Sequence, residues 1–349
     1  MRCLWLYAGP EGGRIRLGQD ESSFSLRVED FLLRRLCCVC LLLANTCLSL
    51  FGLTLHAQTN SHSTQVLTLA VRDRRGQFVT DIQANQIVIK GQAASVQRLE
   101  LDNAPRQILL LLDSSGSMGN YKSLSWSNVT QFAIQFTLQR KGDDLIGLDT
   151  FAEKDQMLVP FTMDSQLVVR NIEKLTSSGI GRTMLGLALS EILARREDGL
   201  RFGDAIILVS DGERSDADKT SFAQLRDDFT RAGIRICLVR VPPIMGPGAT
   251  TDVSNASRFV REIGGIEFNV INALNEVQPM SGARVDPETL ASTAQAAYAF
   301  ARTYYRVALE VSESIQNPRQ LTLEVLDEQR KSMKHIQLNY PRYLLPPRK

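Results

Sequence analysis

The sequence predicts an α/β fold: a doubly wound, mostly parallel sheet, with a flanking all-β module built from N- and C-terminal pieces. Three observations predict it. Apolar runs such as Ile108-Leu109-Leu110-Leu111-Leu112 and Ala205-Ile206-Ile207-Leu208-Val209 lack the alternation of a half-wet strand, so they read as strands buried on both faces. From Arg106 to Arg302 such runs alternate with stretches of helical periodicity, the layout of βαβ units. Before and after that block, apolar residues alternate with period two, as in a sheet with one solvated face.

Residues 1–57 read as a leader. Arg34-Arg35 precede an uncharged run from Leu36 to Leu55, and the small residue Ala57 follows. Positive region, apolar region and small residue stand in the order of a secretory signal, with cleavage expected between Ala57 and Gln58. The run is also long enough, at roughly 20 residues, to span a bilayer, so a retained single-span membrane anchor is the alternative. The thirty-odd residues before it exceed what an ordinary signal needs and point to a mis-called start of translation. Cys3, Cys37, Cys38, Cys40 and Cys47 all lie in this leader, which leaves Cys237 alone in the body and no internal disulfide there. Cys237 sits in the strand-like Ile236-Cys237-Leu238-Val239 and reads as a buried, inert thiol.

Residues 58–104 are the N-terminal β piece. Leu67, Leu69 and Val71 alternate, Asp73-Arg74-Arg75-Gly76 turns, Ile87-Val88-Ile89 is a strand, and Val96, Leu99 and Leu101 lead to a boundary at Asn103-Ala104-Pro105. Residues 105–303 are the α/β block. Strands are expected at 107–113, 144–151, 205–209, 234–241 and 266–270, with a short edge strand at 157–161. Helices are expected at 122–140, 167–175, 183–196, 218–231, 252–263 and 286–302. Residues 304–349 return to β: Tyr305, Val307, Leu309 and Val311 alternate, then Leu321, Leu323 and Val325, then Ile336, Leu338 and Tyr340. Two or three strands alone are marginal, so the two β pieces are predicted to pack together.

Composition narrows the function. The chain has 349 residues with 44% hydrophobic content, enough for two domains and a sizeable core. A net charge of +2 and 7% aromatics give neither an electrostatic footprint for nucleic acid nor a base-stacking platform.

The chemistry concentrates at strand ends. Asp113-Ser114-Ser115-Gly116-Ser117 follows the first buried strand and places one carboxylate and two hydroxyls at alternate positions of a tight loop. Small hard oxygens held close together suit a divalent cation such as Mg²⁺. Ligands of open α/β sheets bind outside the carboxyl ends of the strands, where this loop stands. Two more donors are expected at that rim: Thr183, in the loop Gly179-Ile180-Gly181-Arg182-Thr183 near a helix's first turn, and Asp211, in Ser210-Asp211-Gly212 after the second buried strand. If those two strands are central neighbours, Asp113, Ser115, Ser117, Thr183 and Asp211 converge. Taken singly, Asp, Ser and Gly after a strand are ordinary turn formers or caps, and it is their joint placement that carries the reading.

This set resembles the von Willebrand factor type A domain, whose metal-ion-dependent adhesion site has the pattern Asp-x-Ser-x-Ser, a Thr in a glycine-rich loop, and Asp-Gly after a buried strand. All five positions match, and the resemblance covers roughly 106–302. The resemblance implies a Rossmann-like sheet, with Mg²⁺ or Mn²⁺ touched by the serines and often the threonine, and aspartates acting mostly through water. It also implies a coordination position open to a partner protein's Asp or Glu. The wider layout is similar to a bacterial group, the VWFA-related Acidobacterial domain proteins, through Val71-Arg72-Asp73-x-x-Gly76 and Tyr304-Tyr305. Arg182 departs from the small residue frequent beside that threonine and is expected to point outward.

Three functions compete: an exported protein-binding module, a structural envelope component whose metal stabilises the fold, and a Mg²⁺-dependent hydrolase using Asp113 as nucleophile. His56, His62 and His335 all fall away from the rim, so Ser–His catalysis and a zinc cluster lack parts. No Gly-rich phosphate loop with lysine and no Gly-x-Ser-x-Gly elbow occurs. Other features read as ordinary: Glu213 and Asp216 as a solvated loop face, Asn128-Val129-Thr130 as an idle glycosylation pattern, and Arg195, Arg196 and Arg201 as basic residues at a helix end. Arg342, Arg348 and Lys349 read as a solvated tail. Ser177 reads as a bystander in the loop before Thr183.

Overall fold

The computed structural model describes residues 63–346 except 92–93, 178, 196–198, 213–217, 245–254, 271–273, 279–281 and 312–314, with backbone alone at 274–278. The leader, Glu213, Asp216, Arg196, Arg348, Lys349, His56 and His62 lie outside the described residues.

Six strands form the central sheet: β4 (Gln107–Asp113), β5 (Leu145–Phe151), β6 (Asp155–Thr162), β7 (Ala205–Ser210), β8 (Arg235–Arg240) and β9 (Ile266–Asn269). Their order is β6-β5-β4-β7-β8-β9, parallel throughout except for β6, which runs antiparallel at the edge. β4 and β7 are thus central neighbours, with Leu112 opposite Val209. The helices are α1 (Leu124–Thr137), α2 (Ser165–Lys174), α3 (Leu185–Ala194), α4 (Phe222–Ala232), α5 (Asn255–Glu262) and α6 (Pro287–Arg302).

The strands are apolar on both faces because helices cover both. Ile108, Leu110 and Leu112 pack with Trp126, Val129, Phe132 and Phe136 of α1 and with Leu290, Ala297 and Phe300 of α6. Leu109 and Leu111 face the other way, into Leu185, Leu189 and Ile192 of α3, Phe229 of α4 and Phe259 of α5. Burying a side chain of this size contributes about 1.5–3 kcal/mol, which is why an uninterrupted leucine run at β4 specifies a central strand. Local signals set the helix ends. Ser123 and Asp164 each accept a backbone N–H in the first turn of α1 and α2. Asp286 does so for α6, with Pro287 at the first helical position, and Gly233 closes α4 in the left-handed conformation.

The two β pieces interleave. β12 (Tyr304–Val311), from the C-terminal piece, lies antiparallel between β1 (Ser63–Arg72) and β3 (Ala94–Asp102), both from the N-terminal piece. β15 (Gln337–Asn339) adds to β1 at Ala70–Arg72. β2 (Ile87–Ile89) pairs with β14 (Leu323–Val325), and β13 (Arg319–Gln320) with β16 (Tyr343–Leu344). Leu67, Leu69, Val71, Val307, Leu309, Leu323 and Val325 form their shared core.

A polar clasp marks the passage between sheets. Arg235, at the start of β8, is fully buried and donates to the carbonyls of Gly203, Phe300, Ala301 and Thr303, so it closes the C-terminal end of α6. Burial, and then the nearby Arg106, lower its pKa to about 9. The guanidiniums of Arg235 (4.3 Å) and Arg106 (4.8 Å) both lie over the Tyr304 ring, whose hydroxyl donates to Asp102 at 2.9 Å.

The structure departs from the sequence reading in places. A hairpin of β10 (Leu274–Gln278) and β11 (Gly282–Val285) precedes α6, where no strand was expected. It is held by a residue on α1: Asn128 donates to Ala283 O at 2.7 Å and accepts from Val285 N at 3.1 Å. The side chain of the glycosylation pattern is therefore a buried clamp. α4 starts at Phe222 rather than 218, because Ser221 supplies its cap.

Candidate functional site

The first loop of the site leaves β4 with a bend that keeps its polar atoms inward. Asp113 is the last residue of β4 and fully buried. Its Oδ1 accepts from Ser115 N at 2.9 Å, so the aspartate folds the loop back on itself. Ser115 precedes a 3-10 turn at Gly116–Met118, with Ser117 inside it. Ser115 Oγ lies 3.2 Å from Ser117 Oγ and accepts from Thr183 Oγ1 at 2.9 Å. Three hydroxyls from two loops are therefore chained together.

Asp211 follows β7 directly and is buried. Ser210 joins the two aspartates: its hydroxyl donates to Asp113 Oδ2 at 2.5 Å and stands 3.5 Å from Asp211 Oδ1. Arg240 Nε donates to the Asp211 carbonyl at 3.2 Å and fixes that backbone. Burial, and secondly the charge of Asp211, push the Asp113 carboxyl up to about 7. All five residues predicted from sequence thus meet at the carboxyl edge of β4 and β7. The helix expected from 183 starts at Leu185, which leaves Thr183 two residues before α3.

The loop that carries Thr183 is fastened at several points. Gly116 N donates to Gly181 O at 3.0 Å, and Met184 N to Ala152 O at 2.8 Å. Gly179 has φ +66°, and a Cβ there would stand 2.7 Å from Asn120 N, so a glycine is required. Ser177 is no bystander. It is buried, its hydroxyl donates to Gly119 O at 2.6 Å, and it accepts from Gly179 N at 3.2 Å. Arg182 is exposed, as expected.

Three further residues support the site without any motif to reveal them. Ser210 reads as the last residue of a strand. Asp218 is buried and accepts from Gly186 N at 2.6 Å, which caps α3 from another loop where Met184 has no capping side chain. Arg195 pairs with Asp149 at 2.6 Å and also with Asp155, so it ties the end of α3 to the β5–β6 hairpin that holds Met184. Its role is more specific than that of an ordinary basic residue at a helix end. Cys237 is buried and its thiol is pushed up by burial, in keeping with an inert sulfur.

A hard divalent cation fits this donor set. Hydroxyls and carboxylates suit Mg²⁺ or Mn²⁺, and the raised Asp113 pKa reflects buried negative charge that a cation would offset. Among the described residues no group of three or more His, Cys, Asp or Glu gathers that could hold a metal, at this site or any other, so the donors here are two carboxylates and three hydroxyls.

Residues 108–213 match the von Willebrand factor type A domain family. No curated protein matches the chain. Solved structures with a similar fold include an aerotolerance-related membrane protein from Bacteroides fragilis, at 16% identity over 55% of this chain and 96% of that one, TM-score 0.38. A von Willebrand factor type A protein from Catenulispora acidiphila is similar at 12% identity over 82% and 74%, TM-score 0.42. Proximal thread matrix protein 1 from the mussel byssus, with a zinc-occupied MIDAS motif, is similar at 15% identity over 60% and 50%, TM-score 0.41.

Proposed function

We propose, from the match of residues 108–213 to the von Willebrand factor type A domain family, that the chain is an exported module binding a partner protein through a divalent cation, Mg²⁺ or Mn²⁺. Domains of this type are generally interaction modules rather than enzymes. The observation that carries the reading is the hydroxyl chain Ser117–Ser115–Thr183 beside the buried pair Asp113 and Asp211. When bound, the cation supplies a coordination position for an Asp or Glu of the partner. The chain's own residues do the rest. Ser115, Ser117 and Thr183 present neutral oxygens, so a cation touched by them, with Asp113 and Asp211 acting through water, stays open to direct coordination by an incoming anion. Ser210 holds Asp113 and Asp211 in place.

The reading divides the chain into a leader at 1–57, β pieces at 58–104 and 304–349, and the binding domain at 105–303. Export rests on the leader's charge and apolar order. Among the described residues no helix is long and apolar enough to cross a membrane. Among the described residues the one histidine, His335, is exposed in the β module, apart from the rim, so these residues bring no histidine base to the site. A second reading has an observation behind it: a cation that offsets the buried pair Asp113 and Asp211 would stabilise the fold even without a partner.

One experiment separates the two. The purified chain is immobilised and challenged with envelope extract in Mg²⁺ and in EDTA. The module reading expects partners retained in Mg²⁺, released by EDTA and lost with Thr183→Ala. Retention that is equal in EDTA contradicts it and leaves the structural reading.

A further inference from the structure

Beside the cation site lies an open cleft of about 580 Å³, lined by Ser114, Asn120, Tyr121, Ala152, Thr176, Ser177 and Ile180. It shares Ser114 with the Asp113–Ser117 loop, and Thr176, Ser177 and Ile180 with the loop that carries Thr183. Two large apolar side chains stand at it in water: Ile180 is 77% exposed and Tyr121 58% exposed. The turn formers that shape these loops do not need such side chains, and neither contributes to a core. As two lining residues of one cleft, they offer a ready apolar contact.

The charge around the cleft is one-sided. The loops 119–123, 152–154 and 176–182 carry Lys122, Lys154 and Arg182 against one carboxylate, Glu153, and all four are exposed. Lys122 Nζ lies 5.5 Å from the Tyr121 ring, so an ammonium sits beside that apolar lip. Acidic chain approaching the cation therefore meets cations first.

Building on the proposed carboxylate-binding function, we propose that this cleft selects the partner: an extended acidic segment of another protein, in which the liganding Asp or Glu is followed or preceded by a large aliphatic or aromatic residue. The acid reaches the cation at Ser115, Ser117 and Thr183, and the neighbouring side chain enters between Tyr121 and Ile180. Asn120, another lining residue of the cleft, meets the peptide's main chain. Tyr121 and Ile180 are then specificity residues, while the hydroxyls provide the cation-dependent part.

The test uses displayed heptapeptide libraries with a fixed central Glu or Asp, selected on the full chain in Mg²⁺ and in EDTA. Recovered peptides should carry Leu, Ile, Phe or Tyr beside the fixed acid. Synthetic copies should bind Ile180→Ser and Tyr121→Ser at least about 10-fold more weakly, the scale of one lost apolar side-chain contact. Mn²⁺ affinity by calorimetry should stay unchanged in both, because neither residue supplies a donor. Mg²⁺-dependent peptides with no apolar preference, or affinities unaffected in both variants, overturn the cleft's role and leave the cation site standing. Libraries that yield no Mg²⁺-dependent binder, or the same binders in EDTA, overturn the carboxylate-binding reading itself.

Discussion

Ser177→Ala is the substitution for which sequence and structure give opposite expectations. As one serine in a loop of small residues it reads as dispensable. In the fold its hydroxyl donates to Gly119 O and accepts from Gly179 N, in a side chain that is 2% exposed. The alanine leaves a carbonyl and an N–H without those bonds between two loops pressed close enough that Gly179 cannot carry a Cβ. Each buried polar group left unmade costs about 1–3 kcal/mol. With one of the two rehydrated, the loss is about 2 kcal/mol. For a folded body of this size that is roughly a 3 °C fall in Tm. The effect also travels: the same segment reaches Gly181, whose carbonyl holds Gly116 N, and then Thr183. Mg²⁺ affinity should therefore fall by about 3- to 10-fold, equivalent to about 1 kcal/mol of loop ordering. Thermal denaturation by circular dichroism in EDTA reads the first quantity, and calorimetric titration the second. Arg182→Ala, at an exposed position of the same loop, serves as the silent control. A Ser177→Ala protein that melts with the parent and binds Mg²⁺ equally would refute the reasoning.

Asp113→Asn should stabilise the chain in EDTA at pH 8 yet destabilise it in Mg²⁺. A carboxyl raised from 3.8 to about 7 penalises the folded state by at most about 4 kcal/mol once ionised, at ~1.36 kcal/mol per unit. Because the folded pKa is the higher one, the gain over the parent is absent below about pH 4 and complete above about pH 7; melting curves across pH with and without metal check it, and a variant less stable in both media at pH 8 contradicts it. Asp218→Ala removes the acceptor for Gly186 N at the start of α3 and should cost about 1–2 kcal/mol, read by denaturant unfolding; an unchanged midpoint would show that α3 is capped by water instead.

Much of the site was legible because its residues are also punctuation. Asp113 ends an unbroken leucine strand and Asp211 directly follows β7, its fully buried neighbour in the sheet, so strand order alone brings them to one rim. Thr183 was legible through the glycines around it. What stayed hidden acts across sequence distance through single polar atoms. Ser210 looks like the end of β7, Asp218 caps a helix that begins 33 residues earlier, and Ser177 binds a carbonyl 58 residues away. None of these leaves a periodic trace. The β10–β11 hairpin was missed for a related reason: its strands are short, and a buried side chain on α1, Asn128, satisfies the backbone groups that would otherwise need a longer sheet. The joint β module was legible from period two and from the insufficiency of each piece, but not its interleaving, since nothing in β12 announces that it will lie between β1 and β3.

The central claim is that three hydroxyls and two carboxylates at the end of β4 and β7 form one cation site. Calorimetric titration of Mg²⁺ or Mn²⁺ into the purified chain and into Asp113→Ala and Thr183→Ala tests it most directly. The account predicts one cation per chain for the parent, no measurable binding for Asp113→Ala, and weakened binding with an unchanged fold for Thr183→Ala. Equal cation binding by the parent and by Asp113→Ala would contradict it.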